Sequence, residues 1–409
     1  MSWTFSRRLE WSSVENSLAE AETRARARPG LIDLTVSNPT LPGLGLPDMT
    51  EALTGALGQA RAGRYEPAPR GGESARQAIA ATYRAAQHPI DAENIVVTAS
   101  SSESYSWLFK LLGDPGDVVL VPAPSYPLFD YLVRLEGLTP LPYRSSYEAT
   151  GRWHIDLDSV DRAWATANRD GRRVCAVVVV SPNNPTGAVL DEDEAAALDA
   201  RCATHGAALI ADEVFRDFIR RPSPRQVGCL AARPTQVPTF SLGGLSKSCG
   251  LPQLKVGWIV LGGPTALVSA ARARLELIAD TYLSVNALAL EALPDLLRLG
   301  AETRTHLTAR LRENEAQLAG ALGPRSPISL LRSDGGWLAI VRLPATQTDE
   351  AWAMALIERD GVLVQPGFFF DLEGGAFLIL SLLPEPRAFA TGVERLTARV
   401  ESATDDRSG

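Results

Sequence analysis

Residues 173–180 read RVCAVVVV, an almost unbroken run of β-branched and small apolar side chains. A strand with one wet face alternates apolar and polar residues. A run that is apolar at nearly every position fits a strand buried on both faces, as in a parallel sheet covered by helices above and below. Neighbouring stretches agree. Residues 94–98 (NIVVT), 117–121 (DVVLV), 207–211 (AALIA), 239–241 and 256–261 read as further strands. Helical stretches begin near residue 73, follow the serine-rich turn at 99–103, and cover about 191–204. Strands alternating with helices imply right-handed crossovers and a mostly parallel α/β sheet with helices on both faces. Such sheets bind ligands beyond the C-terminal ends of their strands, where the chemically capable residues of this chain fall.

The flanks differ. A helix is expected over about 13–27, with Ser12 or Ser13 as N-cap, then a short strand at 31–36, a Pro/Gly-rich loop and a helix at 49–62. From about residue 266 long helical stretches run to about 322, interrupted near Pro294. Short strands follow at 336–341, 362–364 and 376–382, and a helix near 387–401. This predicts a second, smaller α+β domain. The expected division is 1–45 as an arm and part of the small domain, 46–290 as the large domain, and 291–409 as the small C-terminal domain.

Composition narrows the function. A length of 409 residues, 45% hydrophobic and 22% charged, suits an ordinary globular protein with a large core. The net charge of −8 argues against a general nucleic-acid binder, which needs a basic excess to neutralise phosphates. The N-terminus, MSWTFSRRLEW, has no apolar stretch long enough for a signal peptide, and no stretch approaches the apolar length of a membrane span. Cys175, Cys202, Cys229 and Cys249 stand far apart with no paired spacing, so neither a zinc site nor a disulfide framework is expected. The four histidines are not spaced as metal ligands. A cytoplasmic, reduced protein follows.

The stretch at 241–260, SLGGLSKSCGLPQLKVGWIV, holds the most reactive candidate. Lys247 is set among small and apolar residues, which disfavour its charged form and leave a more nucleophilic amine. That is what Schiff-base formation with an aldehyde requires. Upstream, the strand at 94–98 runs through Ala99 to Ser102 into a helix start. Free N–H groups and the positive end of the helix dipole there suit an anion such as phosphate.

Four stretches in order, YEPAPRGGESAR, SPNNPTG, ADEVF and LSK with its downstream lysine and glycine, resemble the class I/II aminotransferases, pyridoxal-phosphate enzymes of fold type I. The likeness covers about residues 30–400. It implies a seven-stranded-type sheet in the large domain, a small domain built from both chain ends, and a homodimer with sites at the subunit interface. By this resemblance Lys247 would form the Schiff base with the cofactor and then carry the proton. Asp212 would pair with the pyridine nitrogen, Asn184 would donate to the 3-oxygen, and Tyr126 would stack on the ring. Ser101 and Ser102 would cradle the phosphate, and Tyr65 would reach the phosphate in the neighbouring subunit.

The chain departs from the family at four places. Lys255 stands where an arginine usually follows the Schiff-base lysine, and supplies a point charge without the bidentate fork. Gly244 replaces a phosphate-binding serine. Phe215 replaces a tyrosine that bonds the 3-oxygen. Ile379 stands where the family's arginine clamps the substrate carboxylate; Arg332, Arg342 and Arg387 are unranked substitutes. The expected reaction is transfer of an amino group between an amine or amino acid and a keto acid or aldehyde. Another pyridoxal-phosphate reaction on the same fold, a lyase, decarboxylase or cyclisation, is the alternative. A regulator of the type that carries a DNA-binding domain is not expected, since only about thirty residues precede the resemblance. Common proteinogenic amino acids are expected to be poor donors.

Overall fold

The computed structural model describes residues 3–11, 17–40, 43–44, 46–59 and 63–405. Its centre is an eight-stranded sheet. In chain order its strands are β1 (Ile95–Thr98), β2 (Val118–Ala123), β3 (Thr139–Tyr147), β4 (Trp153–Ile155), β5 (Val174–Val180), β6 (Ala208–Asp212), β7 (Thr239–Gly244) and β8 (Gly257–Gly262). Their spatial order is β1-β8-β7-β6-β5-β2-β3-β4. The run from β7 through β6, β5 and β2 to β3 is parallel; β8 is antiparallel to both its neighbours, and β4 pairs antiparallel with β3.

The central strands have buried side chains along nearly their whole length, because helices cover both faces. One layer packs Trp107, Leu108 and Leu275 against Val119, Val178 and Ile210. The other packs Trp164, Leu198 and Cys202 against Leu120, Val177 and Leu209. At roughly 25 cal/mol per Å² of apolar surface removed from water, two such layers dominate the stabilisation.

β3, β4 and the helices Leu128–Leu135 and Leu157–Arg169 were not apparent in the sequence. β3 carries Pro140 and Pro142, which argue against a central strand. The register explains them. The N–H of Thr139 donates to Asp117 on the β2 side, so residues 140 and 142 turn their nitrogens the other way. β4 pairs only with residues 145–147, leaving that edge open where the prolines lie.

A separate four-stranded antiparallel sheet contains Ser329–Leu331, Leu338–Leu343, Ala376–Ser381 and Gln365–Pro366, in that spatial order. Val362–Leu363 does not join it but pairs in parallel with Ile32–Asp33 from the chain's start. The helices Ser17–Arg26 and Pro386–Asp405 pack on this unit through Leu18, Ala21, Phe389 and Leu396. Ser12 and Ser13, the expected caps of the first helix, lie outside the described residues, as do residues 60–62 of the second expected helix, seen as Thr50–Leu57.

The expected break at Pro294 is absent. A single helix, Ala287–Ala321, runs 35 residues straight through it. A mid-helix proline forfeits one backbone hydrogen bond. Here Leu293, Leu296 and Leu297 are buried against Ile79, Tyr83 and Trp258, and that packing holds the helix together.

Candidate active site

The C-terminal ends of β5, β6 and β7 and the turn after β1 open into one cavity of about 1020 Å³ that is open to solvent. It lies between the two sheets. Lys247, Asp212, Asn184, Tyr126, Ser101 and Ser102 all line it. Two other residues singled out from sequence do not. Lys255, exposed and at φ +53°, lines a neighbouring cleft with Asn38 and Thr40 that meets the cavity at Lys247. Tyr65, 83% exposed, lies in a different cavity beside Trp107 and Leu283.

Lys247 sits in the short helix Leu245–Ser248 that begins as β7 ends. Gly244 permits the entry: a Cβ there would sit 3.1 Å from the Val256 carbonyl oxygen and 3.3 Å from Gly257 Cα. The Lys247 ammonium lies 4.8 Å from the Trp337 ring centre and 5.4 Å from that of Phe215. Burial lowers its pKa, opposed by the charge of Asp212. A lysine so placed sheds its proton more readily than one in water.

Asp212 ends β6. Its Oδ1 accepts from the Val214 N–H at 3.1 Å, and its Oδ2 from the Tyr105 hydroxyl at 3.0 Å. Burial raises its pKa; the Val214 N–H, the Tyr105 hydroxyl and the Lys247 charge pull the other way. Tyr105 is itself buried, edge-on to Phe129 at 5.4 Å.

Ser101 and Ser102 open the helix Ser101–Leu112. Ser100 caps it, accepting from the Glu103 N–H, while Glu103 accepts from the Ala99 N–H. This reciprocal pair fixes the turn and leaves the first helical N–H groups to face an anion. β8 packs hard against this turn at Gly257, where a Cβ would lie 2.8 Å from the Ser100 carbonyl carbon.

Trp337 reaches the cavity from the small sheet. Gly187 of the NNPTG loop adopts φ +66°, and a Cβ there would strike Ser333 Oγ at 1.8 Å. That contact lets the Gly187 carbonyl accept from both Asp334 and Gly335 N–H groups. Arg220, buried and paired with Glu315 at 2.9 Å, bonds Ser333 Oγ and the Gly335 carbonyl. The loop before Trp337 is thus bolted to the large sheet.

On the small-sheet side, Ile379 is fully buried in a cluster with Ile340, Phe370, Leu372 and Phe377. None of its three suggested replacements reaches the cavity. Arg332 pairs with Asp334, Arg342 lies over the Phe377 ring at 5.4 Å, and Arg387 is exposed at the start of the last helix. Among the described lining residues Lys247 is the sole lysine or arginine.

Tyr105, Trp337 and Gln365, all on the cavity wall, were missed in the sequence. Tyr105 could have been found: it lies one helical turn past Ser101 and so shares its face. Trp337 and Gln365 arrive through long-range packing that no local pattern reveals.

The family model for aminotransferase class I and II matches residues 29–382. The chain belongs to this family. The aminotransferase is 25% identical to the tyrosine aminotransferase of Bos taurus over 365 residues, covering 87% of this chain and 79% of that one. It is 27% identical to the alanine aminotransferase of Mycobacterium tuberculosis over 380 residues, covering 90% and 84%. Its fold superposes on the alanine aminotransferase of Pyrococcus furiosus with a TM-score of 0.82 at 23% identity, covering 98% of this chain and all (100%) of the other. Like its relatives, this enzyme transfers an amino group.

Proposed function

We propose that the cavity holds pyridoxal 5′-phosphate, with Lys247, Asp212, Asn184, Tyr126, Ser101 and Ser102 in the roles the family resemblance gives them. The observation that carries this reading is their convergence on one cavity. The residues suit the group. Asn184 Oδ1 is buried with no hydrogen-bond partner among the described residues, and the donor for the cofactor's 3-oxygen would be the N–H of the same carboxamide. The helix start at Ser101 offers an anion site of the right sign. Lys255 adds positive charge from the adjoining cleft.

When bound, the cofactor supplies an aldehyde carbon for the amine and an electron-withdrawing ring. The chain does the rest. Asp212 keeps a carboxylate where a protonated ring nitrogen would stand, and Tyr105 holds one of its oxygens in place. Lys247 Nζ would carry a proton between the substrate Cα and the cofactor carbon C4′; its lowered pKa suits that task. Trp337 and Phe215 keep water from the amine.

The partner molecules are an amine or amino-acid donor and a keto acid or aldehyde acceptor. We further read the enzyme as a homodimer of two-domain subunits in a reducing cytoplasm. Tyr65, exposed and distant from its own cavity, is then free to serve the neighbouring subunit, and the four buried cysteines are unpaired. The domain division proposed at 290/291 falls inside the long helix Ala287–Ala321, which would link the two parts rigidly.

The test is half-reaction spectroscopy. A donor alone should convert the cofactor's visible band to a near-ultraviolet one, and a keto acid should restore it. A band that returns without acceptor would point to lyase or decarboxylase chemistry instead.

A further inference from the structure

The relatives named above act, by their names, on tyrosine and alanine, whose carboxylates need a cation. On the small-sheet side, where the family resemblance would place the carboxylate, the described lining residues carry no charge. Gln365 lies directly opposite Ile379 in the sheet register, so the two side chains share a face. Gln365 is half-buried and lines the cavity, and its carboxamide makes no hydrogen bond among the described residues. Thr35 and Ser37 line the same cavity, adding two hydroxyls. The neighbouring side chains Phe370 and Leu338 are apolar.

Among the described lining residues Lys247 is the only cation and is committed to the amine, so an ionised carboxylate at the small-sheet wall would lose its water without a counter-ion from that wall. The Gln365 carboxamide and the Ser37 hydroxyl can satisfy a neutral group from either direction, because each donates and accepts, while Thr35, whose hydroxyl donates to Asp33 Oδ1 at 2.6 Å, can only accept. A hydrocarbon would leave the carboxamide itself unpaired once water is displaced.

Building on the pyridoxal-phosphate reading, we propose that Gln365 is a specificity-determining residue. It selects primary amines that carry a neutral hydrogen-bonding group, a hydroxyl or a carboxamide, where amino-acid substrates carry a carboxylate.

The test uses the cofactor-loaded enzyme and four donors on one carbon skeleton: leucinol, leucinamide, leucine and 3-methylbutylamine. The readout is kcat/KM of the half-reaction, or the dissociation constant from calorimetry for an amine that binds without reacting. Leucinol and leucinamide should exceed both others by about tenfold, the worth of one well-made hydrogen bond. Gln365→Leu should bring the leucinol-to-3-methylbutylamine ratio to near one. Gln365→Arg should raise leucine relative to leucinol. Cofactor content, measured for each variant, separates misfolding from altered selection. A wild-type preference for leucine overturns the proposal, as does a Gln365→Leu variant that retains the wild-type ratios. Absence of any reducible cofactor adduct overturns the pyridoxal-phosphate reading itself, and this proposal with it.

Discussion

The two walls of the cavity follow different rules. The large-sheet wall presents a lysine, a carboxylate, a carboxamide and a helix start, each delivered at or just after a strand end. The small-sheet wall presents Trp337, Leu338, Gln365 and Phe370, with no charge among the described lining residues, while Ile379 is buried in the cluster with Phe370. On the proposed reading, the first wall would carry the family's chemistry and the second would depart from its substrate recognition. If that reading holds, the contrast teaches that reaction and substrate are set by separable parts of this fold. One face can keep its electrostatics while the other is rewritten by single substitutions on a β-strand.

The sharpest way to break this contrast is to attack the large-sheet wall. Lys247→Ala should abolish turnover and leave no borohydride-reducible link between cofactor and chain, seen by mass spectrometry. A persistent link would move the reactive amine elsewhere, with Lys255 the nearest alternative. Asp212→Asn comes next. An amide cannot hold a proton on a ring nitrogen, and losing such a preorganised charge costs on the order of a hundredfold or more in turnover. Cofactor content should persist; near-normal turnover would remove Asp212 from the chemistry.

What could be read from the chain beforehand follows the same contrast. Lys247, Asp212, Asn184 and Ser101 on the large-sheet wall announce themselves because each follows or closes a strand within a short local motif, whereas Tyr105, inside the helix, does not. Lys247 follows β7 by three residues and Asp212 closes β6. The departure at Ile379 was equally plain, being one position in a recognisable strand. Its consequence was not, because Gln365 meets Ile379 only through antiparallel register. β3 was hidden by prolines that an open edge tolerates. The helix through Pro294 was hidden because buried leucines outweigh one lost hydrogen bond. In each case tertiary packing overrode a sound local rule.

A smaller effect tests whether Tyr105 belongs to the reactive wall or merely fills it. Its hydroxyl lowers the Asp212 pKa against the rise caused by burial. Tyr105→Phe removes that donor, so the pKa of Asp212 should climb. Activity that needs the carboxylate then fades at a higher pH on the acidic side. A hydrogen bond to a charged group is worth about 1.5–3 kcal/mol, so the limb should move by about one pH unit or somewhat more. Turnover at pH 8 should fall far less than in Asp212→Asn. An unmoved acidic limb would reduce Tyr105 to packing.

The smallest effect comes from the residue next to Asp212, which faces the core instead of the cavity. Glu213 is 3% exposed; its Oε1 accepts from the Leu230 N–H at 2.7 Å and the Ser241 hydroxyl at 2.8 Å, while Oε2 has no hydrogen-bond partner among the described residues. Burial pushes its pKa up to about 7, against the pull of those two donors and the Arg216 charge. In the unfolded chain it ionises near 4.3. A raised folded pKa means the folded state binds the proton more tightly. That stabilisation is fully present below about pH 4.3 and is lost as pH rises toward 7. Glu213→Gln keeps one acceptor oxygen for both donors and removes the titration. The wild type should therefore lose more thermal stability than the variant between pH 5 and pH 8, by on the order of 5 °C in scanning calorimetry. Turnover at fixed pH should change little, since Glu213 does not line the cavity. Equal losses in the two proteins would show that Glu213 ionises without cost. A large loss of turnover would show that the core behind β6 reaches the chemistry, and the separation of reactive wall from scaffold would have to be redrawn one residue deeper.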